Sequence, residues 1–181
     1  MKNSLDLSNW NTSAATNMGC MIESRYDLKS VELSSFDTFN ATDMSCMLYL
    51  YSSLETLDLS NFDTSNTAYM NYILFYNKKL EKFGITSFDF SNVIGVFDML
   101  ESCQSLTNLK FRKNLKVSID LADCPLAHES TISVIIGLAD VKEQQILWLS
   151  AKTYDTLSLD DIKLTKDKNW KTVYRDNDDE I

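Results

Sequence analysis

The sequence predicts an α/β solenoid: a right-handed superhelix with a parallel β-sheet on its concave face, short helices on its convex face and an α/β cap at its C-terminal end. Three observations predict it. Leu5, Val31, Leu57, Phe83 and Leu109 stand 26 residues apart, and so do Leu7, Leu33, Leu59, Ile85 and Phe111. Within each unit the two apolar positions alternate with a polar one, as in a strand with one buried face. A second cluster, such as Met44, Met47 and Leu48, has the i, i+3, i+4 spacing of one helical turn. A strand and a turn of helix cannot bury both faces alone, so the units must stack.

Each unit opens on its strand. "LETLDLSNF" from Leu54 is L-x-x-L-x-L-x-x-aromatic, the strand pattern of leucine-rich repeats with an aromatic where Asn or Cys is usual. The aromatic keeps step as Trp10, Phe36, Phe62 and Phe88, which places it in the core. Asn11, Asp37, Asp63 and Asp89 follow it, then Thr12, Thr38 and Thr64. Such side chains accept backbone N–H bonds at turns and helix starts, so a stacked column of them predicts a polar seam. Next come Met18, Met44, Met70 and Val96, with Met21, Met47, Ile73 and Met99 three residues on. Leu28, Leu54, Leu80 and Leu106 close the units.

"LDLSNFDTSNTAYMNYILFYNKKLEKF" resembles the BspA-like leucine-rich repeats of bacterial surface proteins, of the DUF285 type. Residues 5–108 match that pattern over four units. The resemblance implies a leucine-rich-repeat-like solenoid, a cell-surface or secreted location, and adhesion to a protein or glycan on a host or neighbouring cell. The chain departs from the family pattern at residues 94–97, where Ile-Gly-Val-Phe replaces a polar stretch ending in Met, and it lacks Phe after Met21, Met47, Ile73 and Met99.

The organisation expected is four repeats over 1–108, an irregular last unit and cap over 109–175, and an acidic tail over 176–181. "IDLADC" restores the strand form at Ile119, Leu121 and Cys124. A helix is expected from about His128 to Ala139, with Ile132, Ile135, Ile136 and Ala139 inward. "QILWLSA" predicts a strand with Leu147 and Leu149 inward. Ser158 and Asp161 form a capping box for a helix reaching about Lys168, Asn169 supplies its stop, and a last strand covers Trp170 to Tyr174. At the other end no cap precedes Leu5. That predicts either a C-terminal fragment of a longer array or end-to-end contact through the uncapped N-terminal unit.

The net charge of −9 disfavours non-specific nucleic-acid binding. Residues 1–75 carry 3 basic and 9 acidic side chains, 76–118 carry 7 and 4, and 119–181 carry 7 and 13. No apolar run reaches the roughly 18 residues of a membrane span, so no membrane insertion is expected. No metal, cofactor or phosphate-loop motif is present. The four cysteines lack metal spacing and read as free thiols, with a disulfide between Cys20 and Cys46 as the alternative for stacked units. The one catalytic constellation available is Cys124 with His128, four residues apart, which makes a cysteine hydrolase a remote alternative.

Outward strand positions carry the candidate site. One column reads Asp6, Glu32, Asp58, Gly84, Lys110, and its neighbour contains Ser34, Ser60 and Arg112. With Lys82 these residues predict a concave face that is acidic early and basic late. Like charges ~5 Å apart repel, and strand geometry alone does not call for them. The leading function is therefore a non-enzymatic protein-binding or adhesion module. The structural alternative is a stalk whose function lies elsewhere in a longer protein.

Overall fold

The computed structural model describes residues 4–85, 87–111 and 114–175. The first unit contributes β1 (Ser4–Asp6) and the second β2 (Ser30–Glu32), paired in parallel with Ser4 beside Ser30, Leu5 beside Val31 and Asp6 beside Glu32. Ser30 pairs on with Thr56. The fourth unit contributes β3 (Lys82–Ile85), which pairs in parallel with β4 (Asn108–Phe111) from Lys82 beside Asn108 to Ile85 beside Phe111. A second line of pairs joins Asn17 to Asp43, Asp43 to Tyr69 and Tyr69 to Gly95. Every one of these pairs links residues 26 apart, so the sequence period is the spatial register.

The expected short helices are not there. Among the described residues of the four units the chain makes successive turns instead. Met21 N–H reaches the Met18 carbonyl at 3.4 Å, Met47 that of Met44 at 3.3 Å and Ile73 that of Met70 at 3.4 Å. Cys20, Cys46, Tyr72 and Asp98, then Ser24, Leu50, Tyr76 and Ser102, all hold positive φ between 48° and 65°. A left-handed residue at the third position of a turn reorients the following peptide, which a helix cannot do. The freed N–H groups bond to the next unit: Cys20 to Ser45 at 2.9 Å, Cys46 to Asn71 at 2.9 Å, Leu50 to Phe75 at 2.9 Å and Tyr76 to Glu101 at 2.9 Å. The i, i+3, i+4 spacing was a true sign of a buried face, but two linked turns bury that face as well as a helix does. Left-handed backbone costs a non-glycine residue on the order of 1–2 kcal/mol, and the inter-unit hydrogen bonds and methionine burial offset it.

The core runs between these lines. Met18, Met44, Met47, Leu48, Met70, Ile73, Leu74, Met99 and Leu100 are buried, as are the closing leucines. Phe36, Phe62 and Phe88 are buried and stacked, with ring centroids 6.4 Å apart at each step. Trp10 begins the stack 6.3 Å from Phe36 but is 45% exposed, because only one side of its ring is covered.

The polar seam is built from threonine. Thr12 Oγ1 donates to the Asp37 carbonyl and accepts from the Asp37 N–H, at 3.0 and 2.9 Å. Thr38 does the same to Asp63, and Thr64 to Asp89. All three threonines are buried. Asp37, Asp63 and Asp89 each accept from the N–H two residues on, so the aspartate ladder serves the turn.

The register fails after β4. β5 (Ile119–Leu121) joins β6 (Gln145–Ser150) and β7 (Trp170–Arg175) in a separate parallel sheet, in the order β5-β6-β7. α1 (His128–Gly137) packs on β4, where Ser130 Oγ accepts from Leu109 N–H at 3.3 Å. Its inward face is Thr131, Val134 and Ile135, whereas Ile136, expected inside, is 55% exposed. The segment after β4 returns through a pair between Leu115 and Leu138. α2 (Ala151–Tyr154) has no counterpart among the sequence expectations and follows β6 at once, capped by Ser150. α3 (Leu159–Asp167) carries the expected Ser158–Asp161 capping box, and Asn169 beyond it has φ 63°. Leu147, Leu149 and Trp170 are buried.

Candidate functional site

Asp6, Glu32, Asp58, Ser34, Ser60, Lys82 and Lys110 are all exposed on the outward side of the strand lines, and Arg112 lies outside the described residues. Asp6 and Glu32 are side by side, as are Gly84 and Lys110, while Lys82 faces Asn108 one row away. The structure thus brings the two acidic strands together and the two later strands together.

The carboxylates also have a local duty that strand geometry does not reveal. Asp6 Oδ1 accepts from Ser8 N–H, Glu32 Oε1 from Ser34 N–H and Asp58 Oδ1 from Ser60 N–H, each at 2.9 Å. An acceptor two residues before the turn satisfies an N–H that leaves the ladder. Hydrogen bonds from the Ser34 hydroxyl and N–H hold Glu32 below its ordinary value, against the repulsion of Asp6 and Asp58. The N–H and hydroxyl of Ser60 do the same for Asp58. The turn therefore calls for carboxylates that strand geometry alone does not. Gly84 has no such side chain, and a Cβ built there would meet nothing within 4 Å, so no steric demand explains that glycine.

A line of Ile22, Leu48, Leu74 and Leu100 carbonyls explains three other polar residues. Tyr51 donates to Ile22, Asn77 to Leu48 at 2.9 Å, and Cys103 to Leu74 at 3.2 Å. Cys124 extends the line by donating to Leu100 at 3.5 Å. Burial pushes the Cys124 thiol well above its usual range. A buried, protonated thiol bonded to a carbonyl is not the setting of an activated nucleophile, and His128 sits exposed at the start of α1. Cys20 and Cys46 are free thiols. They hydrogen-bond to one another, and desolvation first, then Glu23 and Cys46, push Cys20 up to about 12.

Sequence reasoning missed a cleft where the fourth unit meets the terminal sheet. It has a volume of about 440 Å³ and is lined by Val96, Phe97, Asp98, Asp120, Trp148 and Arg175, together with Ser118. Arg175 Nη2 pairs with Asp120 Oδ2 at 2.9 Å. Glu101 hydrogen-bonds with Asp98 beside the cleft, and Asp123 accepts from Ser102 N–H at 2.7 Å. Among the described residues no group of three or more His, Cys, Asp or Glu side chains is placed to hold a metal ion. The available signal was the Ile-Gly-Val-Phe departure at 94–97, which read only as a lapse from pattern.

A family model described as "Mycoplasma protein of unknown function, DUF285" matches residues 1–115. The chain belongs to the DUF285 family. The DUF285 match spans the four units and β4, and ends where the 26-residue register ends. No curated protein and no solved structure matches the chain. Among the described residues no helix is long and apolar enough to cross a membrane.

Proposed function

We propose that this DUF285 chain is a non-enzymatic protein-binding module of the adhesion kind, exposed at a cell surface or secreted, whose units wind as a right-handed solenoid of strands and turns. Its partner is a protein or glycan of a host or neighbouring cell. The observation that carries the reading is the in-register outward face: Asp6 beside Glu32 at one end and Lys110 beside Gly84 at the other, all exposed. Extended parallel stacks offer long surfaces for partners, and the side chains that vary between copies are the ones free to specify them. Asp6, Glu32 and Asp58 stay exposed while they make their turn bonds.

The test is binding of the full chain to a panel of immobilised matrix proteins and glycans. Charge reversal of the acids would break their turns, so the variants are Asp6→Asn, Glu32→Gln and Asp58→Asn, which keep an acceptor oxygen, and Lys82→Glu with Lys110→Glu. A bound partner is expected to be lost with one set or the other. Binding unchanged in both sets would move the site off this face.

A further inference from the structure

The fourth unit departs from the earlier copies over residues 94–97. Position 97 is Phe where the earlier copies have Gly19, Ser45 and Asn71, and position 94 is Ile where they have Thr16, Thr42 and Ala68. Both side chains face water, at 63% and 64% exposure. Glycine, serine and asparagine serve position 97 in the three earlier copies, so the repeat itself does not demand the aromatic. Phe97 packs edge-on against Tyr72 of the preceding unit, ring centroids 5.4 Å apart, and also forms a wall of the cleft, with half-buried Trp148 of β6 lining it too. A volume of about 440 Å³ falls within the range of small-ligand pockets.

Charge selects the occupant. Asp98 and Asp120 open into the cleft, with Glu101 and Asp123 close by, and Arg175 is the one guanidinium among them, already paired with Asp120. Ser118 is committed: its hydroxyl donates to Gln145 Oε1 at 2.9 Å and accepts from Ile146 N–H at 2.9 Å. What faces an entering group is the carboxylate of Asp98, shared with Glu101, and aromatic faces, whose quadrupoles are negative. Glu101 is pushed up to about 7 by burial, its hydrogen bond with Asp98 and the charges of Asp98 and Asp123, with Arg175 opposing. Burial first, and then the neighbouring carboxylates, disfavour a further negative charge here, and the cleft lining carries Asp98 and Asp120 against the single cation Arg175. A neutral sugar would leave that imbalance, whereas an organic cation removes it.

We propose that this cleft receives a lysine or arginine side chain of a partner protein, its charge against Asp98 and its apolar stem against Phe97 and Trp148. The proposal rests on the protein-binding reading only for the source of the cation. The cleft residues are not those of the outward strand face, so the two can fail separately.

The test titrates the full chain with Nα-acetyl-arginine amide, Nα-acetyl-lysine amide and neutral methyl glucoside. Trp148 emission is the signal, and Trp148→Phe assigns it among the three tryptophans. The cations are expected to give a saturable change, on the order of millimolar affinity for one side chain, and the glucoside none. Asp98→Asn should weaken binding about tenfold, the value of one charge-assisted hydrogen bond. Phe97→Ser, which restores the residue type of Ser45, should weaken it as well. Affinity should rise from about pH 6 to about pH 8 as Glu101 loses its proton, and Glu101→Gln should flatten that rise. A peptide with one internal arginine should bind at least as tightly as the amide. The proposal is overturned by no saturable change, by an equal response to the glucoside, by affinity unchanged in both Asp98→Asn and Phe97→Ser, or by exclusion of the peptide.

Discussion

The four units and the terminal region answer the same problem, unsatisfied backbone polar groups, in different ways. From β1 to β4 the N–H groups of the turns bond to carbonyls in the following unit, and buried hydroxyls bridge what remains. From residue 114 on, α1 and α3 satisfy their own interiors, and the Ser158–Asp161 box closes one helix within three residues. The first region is therefore stable only as an aligned stack. The second carries more of its order locally, and the sheet β5-β6-β7 gathers it.

The largest expected effect strikes the stack where three rings meet. Phe62 lies between Phe36 and Phe88 and is 2% exposed. Phe62→Ala should cost about 3–5 kcal/mol in urea unfolding. If alignment is what holds the units, hydrogen exchange should quicken in the flanking units while α3 and β7 stay protected. Uniform loss of protection across both regions would dissolve the distinction.

A smaller effect separates hydrogen bonding from packing. Thr64→Val keeps the shape of a fully buried side chain but strands the N–H and carbonyl of Asp89. The expected loss is about 2–3 kcal/mol. Thr165→Val in α3, whose hydroxyl bonds Ile162 and Thr172 of its own region, should cost less, about 1 kcal/mol. Equal costs would mean that the seam does not depend on stacking.

The smallest is a pH effect at the junction of the two regions. Glu101 is raised from 4.5 to about 7 in the folded chain. In that window the folded state holds a proton the unfolded state has released, so stability falls as pH rises. After discounting for solvent screening the drop is about 1 kcal/mol, and Glu101→Gln should remove it. Glu32, Asp58, Asp63 and Asp161 are lowered by hydrogen bonds, so their contribution is present above the ordinary carboxylate range and lost as pH falls through their lowered folded values. The urea midpoint should therefore be highest between those limits.

Periodicity carried most of what was legible. A 26-residue spacing without insertion specifies the neighbours of Leu5, Leu33 and Phe62, and the column of Thr12, Thr38 and Thr64 marks the seam. Helix at Met44–Leu48 was misread because apolar spacing reports a buried face, not the hydrogen bonds behind it. Nothing in Leu50 or Tyr76 announces positive φ, since the residue that favours it, glycine, is absent there. The turn duty of the outward acids was not legible, because an i to i+2 bond to a serine N–H is too short-ranged to appear in a column. The junction cleft joins residues 98, 120, 148 and 175, which share no period, and only the topology after β4 brings them together.

The left-handed turn residues have a consequence for how such a chain can change length. Each freed N–H finds its acceptor 25 residues further on, as Cys20 does at Ser45 and Leu50 does at Phe75. A duplication or loss of one whole unit hands every donor an equivalent acceptor. An insertion of any other size inside the array shifts donors onto the wrong residues from that point on. Gene-level variation in copy number is thus tolerated in quanta, and the tolerance is written in backbone hydrogen bonds rather than in the hydrophobic side chains.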